Sequence, residues 1–188
     1  MINKTNTKKI SLYEKIFTVL LGYLLFPLII SIPYYFSIQN ISMINSYFEA
    51  ISGFTSTGFT IFENIKQLDE SLILWRSTSQ WIGGIYFLFS ILLLIDIFDK
   101  NLKQSFTEYL SFNYNEILKQ SLKIIIIYSS LTLIIFILFK TINLRTFDAF
   151  NLSLSIISSG GFLPVNRIDY LFESDLSKIV LSFTMMLS

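Results

Sequence analysis

The sequence holds no cysteine and no histidine among its 188 residues. Their joint absence excludes disulfides, thiolate metal sites, Cys or His nucleophiles and imidazole acid/base chemistry. Charge is scarce as well: Asp, Glu, Lys and Arg make up 14% of the chain, and 14 Lys+Arg against 13 Asp+Glu leave a net charge of +1. That balance gives no basic field for gripping phosphates, which excludes nucleic-acid binding. What is there is apolar. The chain is 53% hydrophobic with a mean hydropathy of +0.61, a composition that belongs in lipid. An enzyme in that setting would have only Ser and Thr as nucleophiles with no His to activate them, so the composition points to moving a solute and not to catalysis.

The first apolar stretch, about 16 to 38, is long enough to cross a bilayer core of roughly 30 Å at about 1.5 Å per residue. Pro27 and Pro33 within it are followed by bulky Tyr34, Tyr35 and Phe36, unlike a cleavage site. The prolines are expected to kink this helix or end it early. A second span is expected over about 72–95 and a third over about 124–139, the latter between Lys123 and Lys140, which can snorkel toward the interfaces. The last apolar run, from about 176, has 13 residues, too few to cross.

Lysines set the expected orientation. Lys4, Lys8, Lys9 and Lys15 precede the first span, and Lys100, Lys103, Lys119 and Lys123 lie between the second and third, whereas 39–75 holds only Lys66. By the positive-inside rule the N-terminus and the 96–123 loop are cytoplasmic, in a multi-pass protein of the cytoplasmic membrane. The 39–71 and 141–175 segments then face outside.

Those two outer segments repeat one another. Residues 44–59 read INSYFEAISGFTSTGF and residues 147–162 read FDAFNLSLSIISSGGF, so at an offset of 103 Thr55, Ser56, Thr57, Gly58 and Phe59 fall on Ser158, Ser159, Gly160, Gly161 and Phe162. The same offset carries the first span onto the third. The unit is a span, a short half-polar helix, a Ser/Thr/Gly loop and a span. A helix of about ten residues cannot cross, and the loop would leave backbone groups unpaired in lipid, so the segment must line a watery cavity. A re-entrant helix points its carbonyl end at the membrane centre, favouring a cation, and the returning loop offers carbonyl and hydroxyl oxygens in place of a hydration shell. Gly58 and Gly161 are expected to supply positive φ there. A pair of ordinary surface loops is the bland alternative. The GFTSTG run at 53–58 has the spacing of a phosphate loop but lacks the following Lys-Ser/Thr and a preceding strand.

FEAISGFTSTG, then LILWRSTSQWIGG at 72–84, then the FDAFNLSLSIISSGGF block resemble the Trk/Ktr potassium transporter family, in particular its TrkH-type membrane subunit, from about Leu12 onward. The WRSTSQWIGG stretch is the most specific part. The resemblance implies an all-α polytopic membrane protein of tandem, potassium-channel-like helix, pore-helix, helix repeats with re-entrant filter loops. Four such repeats would surround one K⁺ path, in a homodimer with a cytosolic nucleotide-binding regulatory ring (TrkA/KtrA-like). It implies K⁺ as the transported ion, no covalent cofactor and no enzyme activity. By position, Thr55, Ser56, Thr57 and Gly58 would form the first filter and Ser158, Ser159, Gly160 and Gly161 the second. The backbone carbonyls of Ser56, Thr57, Ser159 and Gly160 would be the principal ion ligands, with Thr55 and Ser158 next. The expected organisation is a cytoplasmic tail (1–12), a first repeat (13–95), a cytoplasmic linker (96–120) and a second repeat (121–188) cut in its last helix. Two filter loops do not close a fourfold pore. The chain is therefore expected to be the N-terminal part of a longer transporter, the alternative being a truncated, non-conducting subunit that only associates with full-length copies.

Other residues carry paired readings. Glu49 and Asp148 are each expected near the start of a pore helix, either favouring its N-terminus or drawing cations to the outer mouth. Arg76, between Trp75 and Trp81, is either an interface anchor or a salt-bridge partner of a pore-helix acid such as Glu49. Gly83 and Gly84 permit close helix packing or a gating hinge. Tyr34, Tyr35, Tyr47 and Tyr170 fall where an aromatic belt is expected. The charged and aromatic 96–123 loop is a solvated linker or a docking site for the regulatory ring.

Overall fold

A computed structural model of the chain describes residues 11–94, 117–186 and 188, and the regular structure among them is helical. The expected tail up to residue 10 and the linker over 95–116 lie outside the described residues. Helix α1 (Leu12–Ser37) is opened by a capping box in which the Ser11 hydroxyl accepts from the Glu14 N–H and the Glu14 carboxylate accepts from the Ser11 N–H. That box starts the helix four residues ahead of the apolar stretch. Helix α2 (Met43–Phe54) begins at Ser42, whose hydroxyl accepts from the Asn45 N–H at 3.1 Å. A 3₁₀ turn (Ile65–Gln67) and the long α3 (Glu70–Leu94) complete the first unit. The second unit is α4 (Ile117–Thr141), α5 (Thr146–Ile157), a 3₁₀ turn (Ile168–Tyr170) and α6 (Asp175–Met186).

The repeat read from the loops extends through the backbone. Adding 103 to the bounds of α2 gives those of α5, and adding it to the first 3₁₀ turn gives the second. Asn40 and Asn143, one offset apart, both take left-handed φ, at 62° and 60°; asparagine is among the few L-residues that tolerate this region. At 12 residues α2 and α5 are about 18 Å long, short of a bilayer core. Helices α1, α3 and residues 121–141 of α4 are long and apolar enough to cross a membrane.

Two expectations about the spans change. Helix α1 runs through Pro27 and Pro33 to Ser37, so the prolines do not end it. Carbonyls close to those that the prolines leave unpaired accept from neighbouring helices, Leu24 from the Tyr47 hydroxyl at 3.1 Å and Ile30 from the Trp75 indole at 3.0 Å. Helix α4 begins at Ile117, inside the expected 96–120 linker, because ILKQSLK is rich in good helix formers.

Each repeat carries its own core. Ile30, Tyr34, Ala50, Phe54 and Leu72 form the first, and Tyr128, Ile135, Phe139, Ala149, Leu152 and Ile156 lie in the second. Helix α3 belongs to both: Trp75 and Tyr86 pack on the first cluster, Trp81, Ile85 and Leu88 on the second. Tyr34 is accordingly fully buried rather than part of an aromatic belt, since the face of α1 that carries it turns toward α2. Elsewhere along α1 Phe17, Leu20, Leu24 and Ile29 are exposed, as a lipid-facing helix requires.

Candidate functional site

The two Ser/Thr/Gly loops leave the C-terminal ends of α2 and α5 by the same geometry. The Thr57 N–H reaches back to the Ser52 carbonyl at 3.0 Å and the Ser56 N–H to the Gly53 carbonyl at 2.9 Å. One offset later the Gly160 N–H donates to the Ser155 carbonyl and the Ser159 N–H to the Ile156 carbonyl, both at 2.8 Å. These paired bonds form a Schellman motif, which needs a left-handed residue just past the cap. That residue is serine in both loops: Ser56 has φ 54° and Ser159 φ 53°.

The glycines act differently from expectation. Gly58 does take positive φ, at 80°, but Gly161 does not. It is Gly58 that has no room for a side chain against Gly161, whereas a Cβ on Gly161 would stand 3.3 Å from the Gly58 Cα. A Cβ on Gly58 would stand 2.6 Å from the Gly161 Cα and 2.8 Å from its nitrogen, so the two loops meet backbone to backbone.

Among the described residues, no hydrogen bond occupies the carbonyl oxygens of residues 55–58 or 158–161. Several loop hydroxyls are committed elsewhere. The Thr55 hydroxyl donates to the Ile51 carbonyl and the Ser158 hydroxyl to the Ser155 carbonyl, so the Thr57 hydroxyl, 2.7 Å from that of Thr55, is the donor of that pair. The backbone oxygens of both loops are free to meet a ligand, and the hydroxyl oxygens that donate elsewhere keep lone pairs for one. Both helix ends open on a cavity of about 440 Å³, lined by Phe54, Thr55 and Ser56 from one repeat and Ile157, Ser158 and Ser159 from the other.

Behind the loops lies a buried polar network. Glu49 is fully buried in the middle of α2, not near its start as the sequence suggested, because the helix begins at Met43. Its carboxylate accepts from the Arg76 Nε at 2.8 Å, from the Thr60 hydroxyl at 2.9 Å and from the Ile61 N–H at 3.0 Å. Arg76, itself 1% exposed, donates to the Thr60 hydroxyl and, at 3.5 Å, to the Leu163 carbonyl, and its guanidinium lies 4.2 Å from the Phe162 ring centre. The pair thus ties the outgoing strand of the first loop to that of the second. An interface anchor would be exposed; Arg76 is the salt-bridge partner of Glu49.

Asp148 does lie in the first turn of α5. Burial pushes its carboxyl above the usual carboxylate range, against the opposing pull of nearby Arg145. Gly83 and Gly84 sit at close contacts in a continuous α3. Gly83 abuts the Phe54 carbonyl at the end of α2, and Gly84 abuts Tyr128 and Ser158 of the second repeat. Gln80, which sequence reasoning passed over inside the WRSTSQWIGG run, is fully buried against the second loop. No sequence signal marked it, since a lone glutamine on an apolar helix has many uses.

The family model for TrkH, described as cation transport protein, matches residues 4–188. The chain belongs to the TrkH family. An uncharacterized cation transporter of Methanocaldococcus jannaschii is 32% identical over 97% of this TrkH-family chain and 38% of its own length. The Trk system potassium uptake protein TrkG of Escherichia coli is 27% identical over 77% of the chain and 31% of its own length. The fold matches the crystal structure of the potassium transporter TrkH from Vibrio parahaemolyticus with a TM-score of 0.76 at 24% identity, over 100% of this chain and 37% of that one. The chain therefore spans well under half the length of the relatives it matches. TrkH is a family of transporters and not of enzymes.

Proposed function

We propose that the loops at 55–58 and 158–161 are two quarters of a potassium filter, in a transporter completed by further polypeptide. The carrying observation is the row of backbone carbonyls free of hydrogen bonds at the ends of two short helices, held together where Gly58 meets Gly161. The carbonyls of Ser56, Thr57, Ser159 and Gly160 are the principal ion ligands, followed by those of Thr55 and Ser158. They replace water around K⁺ as it enters, and the carbonyl ends of α2 and α5 add a favourable dipole from the cavity side. No covalent step is involved. Potassium uptake is what the Escherichia coli and Vibrio relatives are named for, and it supports K⁺ as the cargo.

The lysine distribution supports a cytoplasmic-membrane protein with its N-terminus in the cytoplasm. The family resemblance supports a homodimer that docks a cytosolic nucleotide-binding regulatory subunit. Two intact, matching loops argue against a degenerate, non-conducting chain. The test is complementation: in cells stripped of their own potassium uptake, the complete transporter restores growth at low external potassium and Gly58→Asp abolishes it. Growth that survives Gly58→Asp overturns the filter reading.

A further inference from the structure

The two equivalent phenylalanines that close the loops are anchored by different groups. In the first repeat the Ser52 hydroxyl donates to the Phe59 carbonyl at 2.6 Å. The hydroxyl of its counterpart Ser155, one offset later, is buried and without a partner among the described residues. The second loop is held from the neighbouring repeat instead. The Phe162 N–H donates to the Gln80 Oε1 at 3.3 Å, and the Gln80 amide fills the space beside Gly160, where a Cβ would come within 2.5 Å of its Oε1 and 2.7 Å of its Nε2. Gln80 is fully buried and its Nε2 has no partner among the described residues. An amide side chain bearing an unpaired buried donor costs more than an apolar residue of the same shape. The Oε1 contact is what such a residue offers in return.

We propose that Gln80 is a positioning residue that sets the direction of the Gly161 carbonyl, a further free oxygen of the second loop next to the Gly160 ligand, and through it the preference among monovalent cations. This rests on the filter reading above. In a planar trans peptide the N–H and C=O point in opposite directions. Pinning the Phe162 N–H to Gln80 on the buried side therefore turns the Gly161 carbonyl toward the exposed side of the loop, where Gly161 itself is exposed and Phe162 is 2% exposed. Without that bond no described hydrogen bond fixes the orientation of the 161–162 peptide. A flipped peptide presents an N–H where an ion needs an oxygen, which penalises a dehydrated cation and erodes any distinction by size. Gly160 completes the device, since its missing side chain is what lets Gln80 approach.

The test compares two substitutions in the complete transporter, read by the ratio of K⁺ to Na⁺ uptake in the complementing cells and by the amount of folded protein in the membrane. Gln80→Met matches the volume but lacks the acceptor; it is expected to lower the K⁺/Na⁺ ratio at least fivefold while folded protein stays near the parental level. Gln80→Glu retains an acceptor for the Phe162 N–H and is expected to hold the ratio within about twofold of the parent. A space-filling role predicts the reverse order, with methionine tolerated and a buried carboxylate harmful. An unchanged ratio in Gln80→Met, or a ratio in Gln80→Glu as low as that in Gln80→Met, overturns the proposal. Those outcomes leave the filter reading standing, which falls only if Gly58→Asp still supports growth.

Discussion

Arg76 on α3 and Glu49 on α2 are joined Nε to Oε1 at 2.8 Å with both side chains withdrawn from solvent. Each charge is costly where it sits, and each is compensated by the other and by Thr60, Ile61 and Leu163. Removing one partner strands the other. Arg76→Gln and Glu49→Gln are each expected to lower stability by about 3 kcal/mol, and the double substitution by less than their sum. Thermal melts of the purified transporter, followed by the fraction that stays monodisperse, measure the coupling; simple additivity contradicts the pairing.

Gly83 tests whether α3 is a packing surface or a hinge. A Cβ there would lie 2.7 Å from the Phe54 carbonyl carbon and 3.0 Å from its Cα, and backbone at the end of a buried helix has little room to give. Gly83→Ala is expected to destabilise by about 1–3 kcal/mol and to reduce uptake in proportion to folded protein. A hinge predicts something else, namely normal amounts of protein with altered transport kinetics. Quantifying membrane protein alongside initial uptake rates separates the two.

The sequence carried the periodicity well and the side-chain geometry poorly. The constant offset of 103 was legible because the loops are composed alike, and the backbone follows it down to Asn40 and Asn143. Helix starts were missed by a few residues because caps and good helix formers such as Ser11 and 117–120 lie outside the apolar runs that define a span. Gly161 matches Gly58 in sequence but not in φ, and the contact between the two glycines across the loops is one that no local pattern reveals. Tyr34 was misplaced for a similar reason, since which face of a uniformly apolar helix turns inward is decided by its partners. Gln80 was invisible because its meaning depends on Phe162, 82 residues away.

Ser159 occupies a position where glycine is the usual residue. Left-handed backbone costs an L-residue roughly 1–2 kcal/mol, and more when the side chain is β-branched. Ser159→Gly is therefore expected to preserve complementation, whereas Ser159→Val is expected to lose it together with at least about 1 kcal/mol of stability. Growth curves at stepped external potassium, with membrane protein quantified in parallel, measure both. Equal growth of the valine and glycine variants contradicts the left-handed assignment.

Two further links between the repeats ought to differ in weight. The Ile65 N–H donates to the Asn166 Oδ1 at 2.7 Å, and the Asn166 Nδ2 donates to the Asn64 Oδ1 at 2.9 Å. Because Ile65 is buried, losing its acceptor leaves a sheltered donor unpaired, so Asn166→Ala is expected to cost about 1–2 kcal/mol. Arg145 and Glu70 form an ion pair with both side chains more than half exposed. Water and salt screen that pair, and Arg145→Ala is expected to leave stability close to that of the parent. Melting both variants at low and high salt checks the contrast. A larger loss from Arg145→Ala than from Asn166→Ala would mean that the repeats are joined at the surface by charge and not by the asparagine bridge.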